Sequence, residues 1–251
     1  MIRPARPQSA SASLPSRCLL IAAAFAATLV ACGGNEPSSP TSDIVAAIPW
    51  QGNESLSYVL KDKDGAVVGR GTLLVALTGE GTTGLAQAFQ NETNRDESSV
   101  IVDSRTLKPK ESTRTIVTAD DVDTVEATYS EEGVLIRHGE KQSGLSVPDH
   151  AYDNDTSLFL WRTIDFRQGY EASYVTIITN RRSRQTVSLR VAGKETVRVA
   201  AGEFECWRLE VRTSNAYQVA WYADTPTRPL VKYDNRFGGD DGLVFELETA
   251  P

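Results

Sequence analysis

Few side chains in this 251-residue chain have chemistry beyond packing: three cysteines, two histidines and one short run of acids. Cys18 and Cys32 lie near the N-terminus, and only Cys206 falls inside the long body that follows. Flanked by Phe204 and Trp207, Cys206 reads as a small apolar core residue rather than a reactive thiol. With no CxxC pair or Cys/His cluster, a thiolate zinc site is not expected. His138 sits in a predicted strand and His150 in an acidic loop, and no Gly-x-Ser-x-Gly elbow, HExxH or phosphate-cradling glycine loop accompanies them. A Ser/His/Asp set could assemble from distant positions, but nothing in the sequence argues for one, so no catalytic residue and no cofactor is assigned. Asp149-His150-Ala151-Tyr152-Asp153-Asn154-Asp155 is oxygen-rich, which makes Asp149, Asp153 and Asp155 weak candidates for calcium. It lacks the glycine and terminal glutamate of an EF-hand loop, and a solvated acidic turn is the simpler reading.

The elements that would position these groups are almost all strands. From Trp50 onward, short runs of alternating polarity are divided by turn residues, the period-two mark of half-buried strands. Ser55 to Lys61 and Val67 to Leu77 flank Asp62-Lys63-Asp64-Gly65, whose Asp-Gly pair suits a hairpin turn with positive φ. Further strands are expected at 85–90, 98–103, 112–118, 124–129, 134–138, 170–179 and 186–191. Regular spacing of the turns favours a meandering antiparallel sheet. Around 174–178 apolar residues on both faces imply burial on both sides. The pattern breaks over 139–167, where Leu158, Phe159, Leu160 and Trp161 bunch into one short helix around 156–163, with Asp155 or Thr156 as its cap. From Val197 to Val211 two strands join at Ala-Gly. The adjacent Cys206 and Trp207 call for a bulge that turns Trp207, Leu209 and Val211 inward.

The composition, 40% hydrophobic and 24% charged, suits one soluble globular body. Arg3, Arg6 and Arg17 precede an apolar run of twelve residues, LLIAAAFAATLV, which ends at Val30. That length fits the apolar stretch of a secretory signal and is too short for a permanent membrane span. Without those three arginines the chain keeps 23 basic residues against 33 acidic, a side-chain charge of −10. Such a surface is a poor match for phosphates, so no nucleic-acid partner is expected. Leu29-Val30-Ala31-Cys32 resembles the lipobox of bacterial lipoproteins, in which an aliphatic residue and two small ones precede a cysteine that is acylated and becomes the new N-terminus. The resemblance implies a signal peptide over 1–31, recognised at Leu29, Val30 and Ala31, and a membrane anchor on Cys32 built from diacylglycerol and a further acyl chain such as palmitate. Several chains, at about 0.8 kcal/mol per buried methylene, make such an anchor durable. Gly33 stands where an aspartate would favour inner-membrane retention, which leans toward the outer membrane or periplasmic side in a diderm cell. Gly33 to Ser42 reads as a flexible linker within a tether spanning 32–49, with Ile44, Val45 and Ile48 as the first candidates to touch the body at 50–251.

The pattern V-x-V-x-A-G-x-F-x-C-W-x-L-x-V over 197–211, followed by Trp221-Tyr222-Ala223-Asp224 and Pro229-Leu230-Val231-Lys232-Tyr233, resembles the DUF3108 family of exported bacterial proteins. Thr106-Leu107-Lys108-Pro109 after a strand fits the same family. The resemblance implies an all-β fold: a long curved antiparallel sheet forming an incomplete or flattened barrel, similar to the lipoprotein carriers LolA and LolB. It assigns no activity. The aromatic residues concentrate after residue 150, and Trp161, Tyr174, Trp207, Trp221 and Tyr233 are the candidates to line an apolar cavity, the alternative being that they fill a closed core. Three readings follow: an envelope lipoprotein that binds an apolar, lipid-like ligand or a partner without catalysis, a structural or assembly lipoprotein acting through its surface, and an unrecognised hydrolase. No particular protein partner is identified.

Overall fold

The structure, a computed structural model of the protein, describes residues 40–235 and 242–249. Leu29, Val30, Ala31 and Cys32, with the signal and linker around them, lie outside the described residues. In chain order the strands are β1 (Glu54–Lys61), β2 (Val67–Gly79), β3 (Thr82–Gln90), β4 (Arg95–Asp103), β5 (Pro109–Val117), β6 (Val122–Ser130), β7 (Gly133–His138) and β8 (Lys141–Leu145). They are followed by β9 (Ala151–Asp153), β10 (Glu171–Ile178), β11 (Ser183–Val199), β12 (Gly202–Arg212), β13 (Tyr217–Ala223), β14 (Leu230–Asp234) and β15 (Val244–Leu247).

All fifteen strands belong to one sheet, ordered β8-β7-β6-β5-β4-β3-β2-β1-β15-β14-β13-β12-β11-β10-β9. The chain therefore meanders outward from β1 to β8, restarts at the opposite edge, and meanders back until β15 pairs with β1. The sheet is not closed by backbone hydrogen bonds, since β8 and β9 are its two edges. Only the residues between Leu145 and Ala151 separate these edges in sequence, so the sheet must curl to bring them together. Side chains fill the seam: Val125, Ala127, Val134 and Ile136 from β6 and β7 pack with Ala151 and Ile177 from β9 and β10. Val175 and Ile177 serve this cluster while Tyr174 serves the main core, which is why β10 is apolar on both faces.

Alternation sets the inner face. Leu56, Tyr58 and Leu60 of β1, Leu73 and Val75 of β2, and Val187, Leu189 and Val191 of β11 are all buried in one core. The helical segment lies inside the curl as three short turns, Asn154–Thr156, α1 (Ser157–Leu160) and Trp161–Thr163. Phe159 and Leu160 are fully buried there, and Tyr222 donates its hydroxyl to the Leu158 carbonyl at 2.9 Å. The guanidinium of Arg162, 1% exposed, donates to Glu54 Oε2 and to the Thr227 and Arg228 carbonyls, fixing the segment to the end of the barrel.

Several local expectations are corrected. Thr156 does stand at the N-cap position of α1, but without a capping bond, because its hydroxyl turns back to the Asp153 carbonyl; the side-chain cap of the segment is one turn earlier, where Asp153 accepts from Asp155 N. No bulge falls at Cys206 and Trp207: their pairing with β13 is continuous, and the extra residue is Ala192 on the partner β11, beside Gly193 with φ +147. Cys206 and Trp207 simply face opposite ways, since the outer face here carries its own small cluster of Val197, Cys206, Ala223 and Val231. β8 and the parallel pairing of β9 with β10 fall in the stretch where alternation gave no strand. Within the span 32–49, the described part from Thr41 onward is docked on the body, as expected for Ile44: Thr41 bridges Ser173, Ile44 is buried at 2% exposure, and Ala46 and Ala47 donate to the Thr163 carbonyl.

Candidate functional site

Between the inner face and the helical segment, the curl leaves a groove of about 970 Å³. Its apolar base is a row of rings: Trp161 lies 6.1 Å from Tyr233, Tyr233 5.4 Å from Phe245, and Phe245 4.8 Å from Phe89. Leu60, Leu158, Val187 and Val211 complete it. Phe89 has its place because residue 71 is glycine; a Cβ there would sit 2.9 Å from the Phe89 ring. A groove of this volume, with an apolar base and polar groups around it, has the size and make-up of small-molecule sites.

The five aromatic candidates do not all converge. Trp161 and Tyr233 line the groove. Tyr174 stands behind Trp161, accepting its indole N–H at 2.9 Å, and meets Tyr152 edge-on. Trp207 faces inward but elsewhere, stacked on Phe166 with Lys194 over its ring. Trp221 is on the outer face, where its indole N–H is paired with Glu195 and Lys232 lies over it. Alternation explains this: Ala220 and Tyr222 take the inward phase of β13.

One corner of the groove is charged. Arg114 on β5 donates from Nε and Nη2 to both oxygens of Asp96 on β4, at 2.9 and 2.6 Å, and from Nη1 to Asp155 at 3.1 Å. Behind it, Asp153 accepts from the Tyr129 hydroxyl at 2.6 Å and from Asp155 N. Asp153 and Asp155 are 1% and 4% exposed, so the expected solvated acidic turn is instead a buried acid pair. Burial, and then the neighbouring Asp153 charge, push the Asp155 carboxyl up to about 7, with Arg114 pulling the other way. Burial likewise raises Asp153. The two acids are already engaged by a phenol, a guanidinium and a backbone N–H, and Asp149 is exposed in the preceding turn; among the described residues no three His, Cys, Asp or Glu side chains gather as a metal site. The calcium candidacy of Asp149, Asp153 and Asp155 is not supported by this arrangement. On the groove wall beside the acid corner, Thr176, 2% exposed, keeps a buried hydroxyl with no partner among the described residues.

The groups first weighed for catalysis lie away from the groove. His138 pairs with Asp123 at the end of β7, and His150 sits 3.6 Å from Asp43. Cys206 is fully buried, and burial pushes its thiol up to about 12, which leaves no thiolate at neutral pH. Arg114, Asp96, Thr176 and Phe89 were not singled out from sequence. The first two were detectable as charges on the inward phase, because Asp96 shares a face with Val100 and Val102, and Arg114 shares one with Ser112 and Ile116.

A family model described as a protein of unknown function, DUF3108, matches residues 62–245. Among solved structures, the chain is similar to a β-barrel-like protein of domain of unknown function DUF1849 from Brucella abortus, with a TM-score of 0.53 at 7% identity over 78% of this chain and 95% of that one. A weaker similarity, with a TM-score of 0.33 at 10% identity, covers 78% of this chain and 84% of the hypothetical lipoprotein YmcC from Escherichia coli. No curated protein sequence matches the chain. At such identities the first structural likeness speaks to the fold, a curled β sheet, and not to a ligand.

Proposed function

The chain belongs to the DUF3108 family, and from that premise, its Leu29-Val30-Ala31-Cys32 sequence and its groove we propose an exported, lipid-anchored protein of the cell envelope that holds an apolar or amphiphilic ligand inside its curled sheet and does no chemistry on it. The observation that carries this reading is the unfilled groove over the row Trp161, Tyr233, Phe245 and Phe89. A groove of about 970 Å³ with aromatic rings along its base gives an apolar tail a place to lie, which a closed and fully packed sheet would not. A hydrolase would need a base paired with a nucleophile facing that space; the two histidines are placed elsewhere, and Asp155, the raised carboxyl at the groove corner, is bonded to the Arg114 guanidinium. The anchor would hold the groove near a membrane, on the outer-membrane or periplasmic side, where amphiphiles are the abundant apolar solutes.

Native mass spectrometry of the purified protein, delipidated and then exposed to an envelope lipid extract, tests the reading. A reproducible bound species, lost in a Trp161→Ala, Phe245→Ala variant that remains folded by circular dichroism, is the expected result. Ligand-free masses only, in the unaltered protein, would overturn it.

A further inference from the structure

The groove changes character between base and mouth. Above the aromatic row, the inward phase of three strands carries glutamine next to an apolar residue of the same phase: Gln87 after Leu85 on β3, Gln185 before Val187 on β11, and Gln218 before Ala220 on β13. Thr176 on β10 adds its unpartnered hydroxyl to this layer. Beyond it, the turns following β3 and β10 bring Asn94 and Asn180 to the rim. Of the fourteen Asn and Gln side chains among the described residues, ten line this groove, although the groove takes in only about one described residue in six. Several have turn duties: Asn91 accepts from the backbone of its own turn, and Asn215 accepts from Gln185. The side chains of Gln87, Gln218, Asn94 and Asn180 have no hydrogen-bond partner among the described residues.

Carboxamides both donate and accept and carry no charge. The charges nearby are largely matched to one another, Arg114 with Asp96 and Asp155, and Arg95 with Glu97. Arg181, at the rim, is the lining cation without a carboxylate partner among the described residues. A neutral, hydrogen-bonding collar over an apolar base matches an amphiphile whose head is rich in hydroxyls.

Resting on the ligand-binding reading above, we propose that the mouth of the groove recognises an uncharged, polyhydroxylated headgroup, a saccharide, while the tail of the same molecule lies along Trp161, Tyr233 and Phe245. Gln87, Gln218 and Thr176 bond the hydroxyls nearest the tail, and Asn94 and Asn180 those at the rim.

Isothermal titration calorimetry with four probes separates this from the broader reading: dodecyl maltoside, dodecyl phosphate and dodecyltrimethylammonium, each below its micelle concentration, and free maltose. Two or three additional hydrogen bonds of ordinary net strength correspond to at least about tenfold in affinity, so dodecyl maltoside should bind at least about tenfold more tightly than the two charged amphiphiles and than free maltose. In Gln87→Leu, Gln218→Leu that preference should collapse in a protein whose circular dichroism spectrum matches that of the wild type. Equal affinities for the three amphiphiles, tightest binding of dodecyl phosphate, or an intact preference in the double variant would overturn the headgroup assignment and leave ligand binding standing. Binding of none of the amphiphiles would overturn both.

Discussion

Tyr129 on β6 donates its phenol to Asp153 Oδ2 on β9 at 2.6 Å, across the two arms of a sheet that no backbone ladder joins at that point. The seam of the curled sheet is thus held by side chains, and this bond is a polar member of it beside the apolar cluster of Val125, Ile136 and Ile177. Tyr129→Phe removes the donor and leaves a buried carboxyl short of a partner, a loss of about 1–3 kcal/mol. Urea denaturation should show that loss, and an unchanged midpoint would mean that the seam does not depend on this bond.

Asp155 makes stability depend on pH with a definite sign. Its carboxyl is raised to about 7 in the folded protein, so its contribution is fully present below the ordinary carboxylate range and is lost as pH rises toward 7 and beyond. Asp155→Asn removes that dependence and leaves Arg114 paired with Asp96. The stability of the wild type relative to the variant should fall by about 1–3 kcal/mol between pH 4 and pH 8. Thermal melts of both proteins across that range check it, and a difference that grows with pH would contradict the burial of the acid pair.

Arg162 satisfies three acceptors from a fully buried position and lies over the Trp50 ring at 5.3 Å. Arg162→Met leaves Glu54 and two carbonyls without their donor and should cost about 3–5 kcal/mol. Arg162→Lys keeps the charge but not the planar fork, and should recover only part of the loss. Denaturant midpoints of the three proteins give the order directly.

The anchor is tested at Cys32. In Cys32→Ala the thiol that would carry the diacylglycerol is gone, and the protein should leave the membrane fraction or remain unprocessed. Fractionation with a mass measurement of the N-terminus distinguishes these outcomes, and normal processing with membrane retention would dispose of the anchor assignment.

Much of the fold was legible because alternation is a local signal. Leu56, Tyr58 and Leu60, or Val187, Leu189 and Val191, announce one buried face without reference to anything distant. The short helix was legible from the bunching of Leu158 to Trp161. What alternation does not carry is partnership. Asp153 and Asp155 read as solvated because their partners, Tyr129, Arg114 and Asp96, come from three other strands. Trp221 read as a cavity residue because its phase on β13 is decided by Ala220 and Tyr222, whose small and large side chains give no clear alternation. The bulge lies on β11 rather than β12 for a related reason: two apolar neighbours, Cys206 and Trp207, are compatible with regular pairing once both faces of the sheet are covered. The collar of carboxamides was scattered over separate strands and turns, and only the curl assembles it.

The docking of residues 41–50 bears on mechanics. Thr41 joins the sheet at Ser173, and Ala46 and Ala47 hold the Thr163 carbonyl at the end of the helical segment, which also supplies Leu158 and Trp161 to the groove. Lys108 clips this strap from the side through Asp43 at 2.5 Å and lies over Tyr152. A pull applied at Thr41 therefore acts on the helical segment that supplies Leu158 and Trp161, so the stretch before β1 and the base of the groove are mechanically one piece.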